Sequence, residues 1–518
     1  MVDAMVLVCV SLAKSKAEYL VRAARTARER GADLVELRLD RLKKCTRGDL
    51  SWLREHIDFI PVIATLRPKA EGGWYRGSEP ARLALLEHAI DCGFEQVDLE
   101  LGIGRLKLGR LRALARSRGV KLIVSHHDLS RTPSTAQVAR RLESCARAGD
   151  LGKAAFFASS PRDMVRIIEA ARRSRRTAPG AVAIGMGEAG ALTRTLGPFL
   201  GAKLVYAGLD EKSLTAGGQP DISGLRRMWA VAGGIGRVSG RTRLFGILGH
   251  PLGHSLSPLV HNTAFLKLGM DAAYLPFDVD AGALAPTLEA LRAAGLRGAN
   301  VTIPHKTAVI PLLDGIEAHA KKIGAVNTIV CRGGKLRGHN TDVAGFVGAL
   351  RSAGVKLEGA RALVAGAGGA ARAAVVGLLD NGASVTVINR TRRRALALAG
   401  HLGDDQISVA GQCDMGSAAS RSDIVVNCTP AGMRGFSGPC PVPPRSIRRG
   451  TAVMDMVYNP VRTRLLGQAE KRGARTVSGM EMFIRQAEAA FWLWTGLPFP
   501  ETAVRRALSH SRFSTNQH

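Results

Sequence analysis

The sequence predicts an α/β protein in two successive parts, a (β/α)8 TIM barrel followed by a second α/β series that contains a Rossmann-like βαβ unit. Three observations carry this. From residue 5 to about 210, short apolar or β-branched runs alternate with amphipathic helical stretches at a spacing of roughly thirty residues, the length of a βα unit. Around residues 230–242 the pattern lapses into the glycine-rich, polar GGIGRVSGRT, which reads as a linker. A new alternation then begins at LFGILGHPLGHSLSP from Leu244 and contains a strand, a glycine loop and a helix, LVAGAGGAARAAVVGLL, followed by the strand SVTVINR.

The runs of the first part, in order, are MVLVCVSL from Met5, DLVELRL from Asp33, PVIATLR from Pro61, EQVDLEL from Glu95, KLIVSHH from Lys121, GKAAFFAS from Gly152, AVAIGMG from Ala181 and AKLVYAG from Ala202. Eight parallel strands in so short a length favour a closed barrel, with an open doubly wound sheet as the alternative. After Asp221, ISGLRRMWAVAG reads as a helix leading into the linker.

With 518 residues, 46% of them hydrophobic, and 59 glycines, the chain is long enough for two or three units with sizeable cores, and it is not of disordered type. The formal charge of +30 raises nucleic acid as a partner. Its distribution argues against one, because Arg is spread along helices and the clusters Arg172 to Arg176 and Arg392 to Arg394 are short and not interleaved with aromatics. The 8 cysteines form no C-x-x-C pair and show no metal-ligand spacing, which reads as a reducing compartment. The start has no basic region before its apolar run, which is too short to span a bilayer. A cytoplasmic protein without membrane or nucleic-acid partners is expected.

In a barrel, reactive groups sit at the carboxyl ends of the strands. Glu36 and Arg38 are two apart and leave the same face of their strand, as do Asp98 and Glu100. Arg67 closes the third run and is followed by Glu71, His126, His127 and Asp128 close the fifth, and Lys153 stands inside the apolar sixth. A lysine buried in a strand must be neutral, paired or reactive, since burying an unpaired ammonium costs several kcal/mol. The ordinary reading, a stem snorkelling to solvent, is weakened by the histidines, arginines and carboxylates that share the strand ends.

These segments, ELRLD, TLRPKAEGG, VDLE, SHHD, GKAAFFAS, MGEAGALTR and TAGGQ, resemble in order and spacing the type I 3-dehydroquinate dehydratases, across residues 5–222. The resemblance implies that Lys153 forms an imine with the substrate ketone, and that His127, just before the Asp, is the general base and acid with Glu71 orienting its ring. Arg194, Thr215 and Gln219 would hold the ring carboxylate, and Glu36, Arg38 and Arg67 would contact hydroxyls and the Glu71 region. Tyr206, Thr215 and Gly217 depart from the family's usual Phe, Ser and Pro, so the closing loop could be looser.

In the second part, Gly366, Gly368 and Gly369, with Ala371 and Ala373, follow a strand and open a helix, an arrangement that suits a pyrophosphate. Where a carboxylate would select a free ribose 2′-hydroxyl, the next strand ends in Asn389, Arg390, Thr391 and Arg392, which favours NADP. His250, His254, His261 and His305 bring no Cys or carboxylate at ligand spacing, so no metal is expected.

With GHPLGHSLSPLVHN, GANVTIPHK, GAVNTI, GHNTDVAG, NCTPAGM, DMVYNP and GMEMFIRQAEAAFWLWTG, this part resembles the shikimate dehydrogenase family over about 260 residues. The resemblance implies Lys306 and Asp342 as the catalytic pair, Ser255 and Ser257 with Tyr458 at the substrate carboxylate, and Thr302, Asn327 and Gln486 around the ring. It divides the chain into a dehydratase barrel at 1–225, a linker at 226–242, a shikimate-binding subdomain at 243–345 completed by helices at 480–512, and an NADP-binding subdomain at 346–479. The expected function is dehydration of 3-dehydroquinate followed by NADPH-dependent reduction of 3-dehydroshikimate. Quinate oxidation by the second part and a degenerate half are the alternatives, and monomer and homodimer both stay open.

Overall fold

The computed structural model describes residues 5–210, 217–253, 255–436 and 438–511. Two compact units emerge, Met1–Leu244 with Asp271–Leu275 and Ala285–Leu296, and Phe245–Met270 with Pro276–Leu284 and Arg297–His518.

The eight expected runs become strands β1 (Leu7–Leu12), β2 (Leu34–Arg38), β3 (Val62–Thr65), β4 (Gln96–Glu100), β5 (Lys121–Asp128), β6 (Leu151–Phe157), β7 (Val182–Met186) and β8 (Leu204–Ala207). They are neighbours in the order β7-β6-β5-β4-β3-β2-β1-β8, and their ladders are parallel. The remaining edge is drawn together by a bridge between Gly180 and Ala202, where Lys203 N donates to Gly180 O at 3.0 Å. The result is a nearly closed barrel.

The helices between these strands follow from their patterning. Pro161–Ser174, for example, starts behind Ser160, whose hydroxyl accepts from Asp163 N, and it buries Met164, Ile167, Ile168 and Ala171 at i, i+3, i+4 and i+7. Each large apolar side chain so buried contributes about 1.5–3 kcal/mol. Inside the barrel, Cys9, Leu34, Ile63, Ile123, Ala155, Val182, Ile184, Leu204 and Tyr206 form one apolar floor. The unit does not stop at residue 225: the helix Ile222–Ala230 runs on, capped by Asp221, and its Trp229 is fully buried with its ring 5.5 Å from that of Phe199. A linker starting at 226 would cut this helix, and the reason is the aromatic anchor in its last turn.

The second series supplies β9 (Arg243–Gly249), β10 (Ala272–Asp278), β11 (Leu296–Val301), β12 (Gly315–Ile316), β13 (Thr328–Arg332) and β14 (Lys335–His339), in a sheet ordered β10-β9-β11-β13-β14-β12. Then come β15 (Arg361–Ala365), β16 (Ser384–Ile388), β17 (Ile407–Val409), β18 (Ile424–Asn427), β19 (Ala452–Asp455) and β20 (Arg475–Ser478), all parallel and ordered β17-β16-β15-β18-β19-β20. Successive residues of β15 serve two cores, Ala362 and Val364 one, Leu363 and Ala365 the other, as a strand covered on both faces requires. The strand order reverses between β15 and β18, and the crevice beyond their carboxyl ends is where such sheets bind ligands. The helix Gly479–Thr495 packs on Asp342–Ser352, with Gly345 against Met482 and Gln486.

Candidate active sites

Two residues beyond the apolar floor, the barrel interior turns polar. Ser11 follows Cys9, Glu36 follows Leu34, Thr65 follows Ile63, Ser125 follows Ile123, and all four are buried. Lys153 belongs to this tier, its Nζ 3.2 Å from Glu36 Oε1, 2.9 Å from Asp98 Oδ2 and 4.4 Å from the centre of the Tyr206 ring. Glu36 also accepts the hydroxyls of Ser11 at 2.5 Å and Thr65 at 3.0 Å, and Asp98 accepts that of Ser125 at 2.6 Å. Burial alone would raise both carboxyls, but Lys153 and Arg38 outweigh it at Glu36, and Arg67 and Lys153 hold Asp98 well below the usual carboxylate range. Two ionised carboxylates therefore flank the lysine. Glu36, expected at substrate hydroxyls, has its oxygens engaged by Ser11, Thr65 and Lys153, so what it orients is the amine.

The next tier carries the base. Arg67 Nη1 lies 2.7 Å from Ser125 Oγ, 3.1 Å from His127 Nδ1 and 3.3 Å from Glu100 Oε1, and Nη2 lies 3.1 Å from Asp98 Oδ2. His127 Nδ1 is 2.9 Å from Glu71 Oε2, which also accepts the His127 backbone N–H at 3.0 Å. Glu71 reaches back because the turn Lys69–Glu71 is followed by two glycines: Gly72 has φ +78°, and a Cβ at Gly73 would stand 1.9 Å from Arg67 O. Burial raises the Glu71 carboxyl to about 7. Burial also keeps the His127 imidazole well below its usual value, with Arg67 and Lys153 repelling a further positive charge. A neutral imidazole in that place can accept a proton. His126 faces the other way, its ring 5.8 Å from that of Phe156, as strand alternation demands.

Arg38 is held in a bidentate pair with Asp40 at 2.9 and 2.8 Å. Arg194 donates through Nη1 to Gly185 O at 2.8 Å and Gly218 O at 3.2 Å, while its buried Nε has no partner among the described residues, and burial pulls its pKa down to about 10. Such a guanidinium is built to receive an anion. Gln219 is buried nearby in sequence, and Thr215 lies outside the described residues. Asp98 and Glu100 read as strand-end residues without a role, and Ser125 is not singled out by the sequence. The alternation in VDLE and SHH placed them on the inward face, but nothing local told which polar neighbours they would meet.

In the second part, Lys306 Nζ contacts Asp342 Oδ2. Asn327 Nδ2 donates to the other Asp342 oxygen at 2.7 Å and to Thr341 Oγ1 at 3.0 Å, and Asn340 Oδ1 accepts the Asp342 backbone N–H at 3.0 Å. Val326 N donates to Lys306 O at 2.7 Å, so the segments bearing Lys306 and Asn327 are tied together. Thr302 N donates to Leu248 O at 2.9 Å, which seats it over Gly249. Ser257 N donates to Ser255 Oγ at 3.4 Å. The Tyr458 ring stacks on Phe483 at 4.9 Å, the Gln486 amide donates to Phe483 O at 2.9 Å, and burial pushes the Tyr458 phenol up.

The glycine loop fits a dinucleotide. Gly366 has φ +123°, and a Cβ there would stand 3.2 Å from the Cys428 backbone, so neither the turn nor the close approach admits a side chain. Gly368 caps the helix Gly369–Leu379, whose first N–H groups have no partner within the helix, and a Cβ on Gly369 would lie 3.2 Å from Lys306 Cδ, so loop and lysine adjoin. The side chain of Ala371, expected at the cofactor, is fully buried in the core, where its small size allows close helix–sheet packing. Beyond β16, Asn389 Nδ2 donates to Thr391 O at 2.9 Å, and Arg390, Arg392, Arg393 and Arg394 are exposed with no carboxylate paired to them among the described residues. Free guanidinium groups there suit a 2′-phosphate. Among the described residues no group of three or more His, Cys, Asp or Glu stands as a metal site.

Comparison with known proteins finds relatives of both parts of the chain. The family model of type I 3-dehydroquinase matches residues 8–235, that of the shikimate dehydrogenase substrate binding domain 247–329, that of shikimate / quinate 5-dehydrogenase 349–434, and that of the shikimate 5'-dehydrogenase C-terminal domain 479–508. The chloroplastic bifunctional 3-dehydroquinate dehydratase/shikimate dehydrogenase of Arabidopsis thaliana is 35% identical, covering 97% of this chain and 84% of that protein. A shikimate dehydrogenase (NADP(+)) of Moorella thermoacetica is 46% identical over 52% of this chain and 94% of its own length. A crystal structure of shikimate dehydrogenase in complex with NADP+ superposes with a TM-score of 0.50 and 36% identity, covering 52% of this chain and 96% of that one. The chain belongs to the family of bifunctional 3-dehydroquinate dehydratase/shikimate dehydrogenases.

Proposed function

We propose that the barrel dehydrates 3-dehydroquinate through an imine on Lys153 and that the second part reduces the resulting 3-dehydroshikimate to shikimate with NADPH, Lys306 and Asp342 serving the proton. The chain is thus a lyase and an NADP-dependent oxidoreductase of the shikimate pathway.

The observation that carries the first half is the lysine amine, buried between Glu36 and Asp98, one tier below a neutral His127. Lys153 attacks the C3 ketone and releases water as the iminium forms. His127 removes the C2 proton, and the C–H electrons flow into the iminium to give an enamine. The enamine expels the C1 hydroxyl, which leaves as water after taking the proton back from His127, and hydrolysis frees Lys153. Glu71 orients the imidazole, Arg67 and Arg38 face the hydroxyls, and Arg194 with Thr215 and Gln219 receives the carboxylate.

In the second half, bound NADPH supplies the hydride. The chain's own residues do the rest: the glycine loop and the helix Gly369–Leu379 take the pyrophosphate, Asn389 to Arg392 take the 2′-phosphate, and Ser255, Ser257 and Tyr458 hold the substrate carboxylate. Thr302, Asn327 and Gln486 surround the ring. Lys306, poised by Asp342, gives a proton to the oxygen at C3. The 8 free cysteines support a reducing, cytoplasmic setting, and no described helix is long and apolar enough to cross a membrane.

Borohydride added with 3-dehydroquinate should label Lys153, read by peptide mass spectrometry, and an active enzyme with Lys153 unlabelled refutes the imine. NADPH consumption started by 3-dehydroquinate tests both halves in one cuvette. Faster oxidation of quinate than of shikimate would reassign the second half.

A further inference from the structure

Arg82 lies outside every motif that pointed to chemistry. It sits on the helix Glu79–Asp91, which covers the outside of the barrel, yet it is 1% exposed. Its Nε and Nη2 form a bidentate pair with Glu79 at 2.8 and 2.9 Å. Its Nη1 donates to Leu66 O at 2.9 Å and stands 2.7 Å from Glu100 Oε2. Leu66 immediately precedes Arg67, and the other Glu100 oxygen is 3.3 Å from Arg67 Nη1. Arg82 therefore donates to the backbone that leads into Arg67 and stands as counter-charge to the carboxylate that pairs with it.

Charge balance gives this contact a consequence. Glu100 faces Arg67, Arg82 and Asp98; Arg67 faces Asp98, Glu100, Glu36 and Glu71; His127 faces Arg67, Lys153, Asp98, Arg38 and Glu71. Burial pushes the Glu100 carboxyl up, opposed by Arg67 and Arg82. We infer that Arg82 is a positioning residue for the dehydration, holding Glu100 as the carboxylate that anchors Arg67 against His127 and Ser125. The inference rests on the reading of His127 as the base.

Arg82→Gln removes the charge and keeps hydrogen-bonding capacity. Glu100 then takes up a proton more readily, Arg67 loses its anchor, and the imidazolium of His127 is less repelled. The first and the last of these three changes demand a higher pH for the active form, so the acid limb of kcat for 3-dehydroquinate should move up by about one pH unit. Turnover at neutral pH should fall about tenfold with KM changed about twofold or less, since Arg82 touches no substrate. Arg82→Lys should restore the limb. The double variant Arg82→Gln/Glu100→Gln should be no slower than Glu100→Gln alone, because the two act along one route.

An unmoved acid limb in folded Arg82→Gln, or multiplicative losses in the double variant, overturns the inference and leaves Arg82 as packing. If Arg82→Gln does not accumulate, Arg82→Lys carries the test: a limb in the wild-type place supports the role of charge, and a displaced one refutes it. His127→Asn separates the two levels, because dehydration that survives it with its acid limb intact removes the base assignment whatever Arg82 does.

Discussion

Replacing Lys153 with Met should invert the sign of the barrel's pH-dependent stability. Asp98 and Glu36 are 0% and 4% exposed and lie 2.9 and 3.2 Å from the lysine nitrogen. Taking one partner out of a buried ion pair costs about 3–5 kcal/mol, because the other charge is left uncompensated. In the wild type both carboxyls sit below their ordinary values. Their contribution is then fully present above the unfolded values near 4 and is lost as the pH falls through the folded ones. Asp98 keeps Arg67 at 3.1 Å, so it is Glu36, whose main opposing charge was the ammonium, that burial then pushes above its unfolded value. That contribution is complete below pH 4 or so and is lost as pH rises, by about 1.4 kcal/mol for each unit of the rise. The gap between wild type and variant should therefore be small near pH 4.5 and approach the full loss near pH 8. Hydrogen exchange of β4 and β6 amides reads it within the barrel, which a whole-chain melting temperature of a two-unit protein does not. Adding Glu36→Gln should recover much of the loss, since Asp98 still has Arg67. A gap that stays constant from pH 5 to 8, or a variant as stable as the wild type at pH 8, would refute the reasoning.

Three shorter expectations accompany it. His127→Asn should lower dehydration kcat by about 10²–10⁴-fold, while His126→Asn, altering a ring that faces Phe156, should stay within about threefold; equal losses would show that the strand presents both. Tyr206→Phe should stabilise the barrel by about 1–3 kcal/mol, because the buried Tyr206 hydroxyl has no partner among the described residues while the ring over Lys153 is kept; a lower urea midpoint would reveal a partner. Arg390→Ala with Arg392→Ala should raise the KM for NADPH about tenfold or more while sparing NADH and shikimate, and a matching rise for NADH would point to a damaged fold.

Pattern along the chain was enough for the eight barrel strands, the glycine loop and its helix, and the shared face of Glu36 with Arg38 and of Asp98 with Glu100. Side-chain direction in a strand repeats every two residues, and a helix announces itself every three or four, so these are local properties. The choice of His127 over His126 came from the resemblance, because alternation by itself says only that one of two successive strand residues faces inward.

What closure of the barrel decided is who meets whom. Lys153 is 117 residues from Glu36 and 55 from Asp98, and their contact depends on the register of strands that pair only after the sheet has curled. The same closure turned Glu36 toward the amine, drew Arg82 in from a covering helix and set the Tyr206 ring over Lys153. In the second part, packing sent Ala371 into the core and an aromatic anchor carried the first unit past residue 225. Separation along the chain says nothing of distance across a core, and electrostatic partnership falls off over a few ångströms, so such pairings belong to the folded state alone.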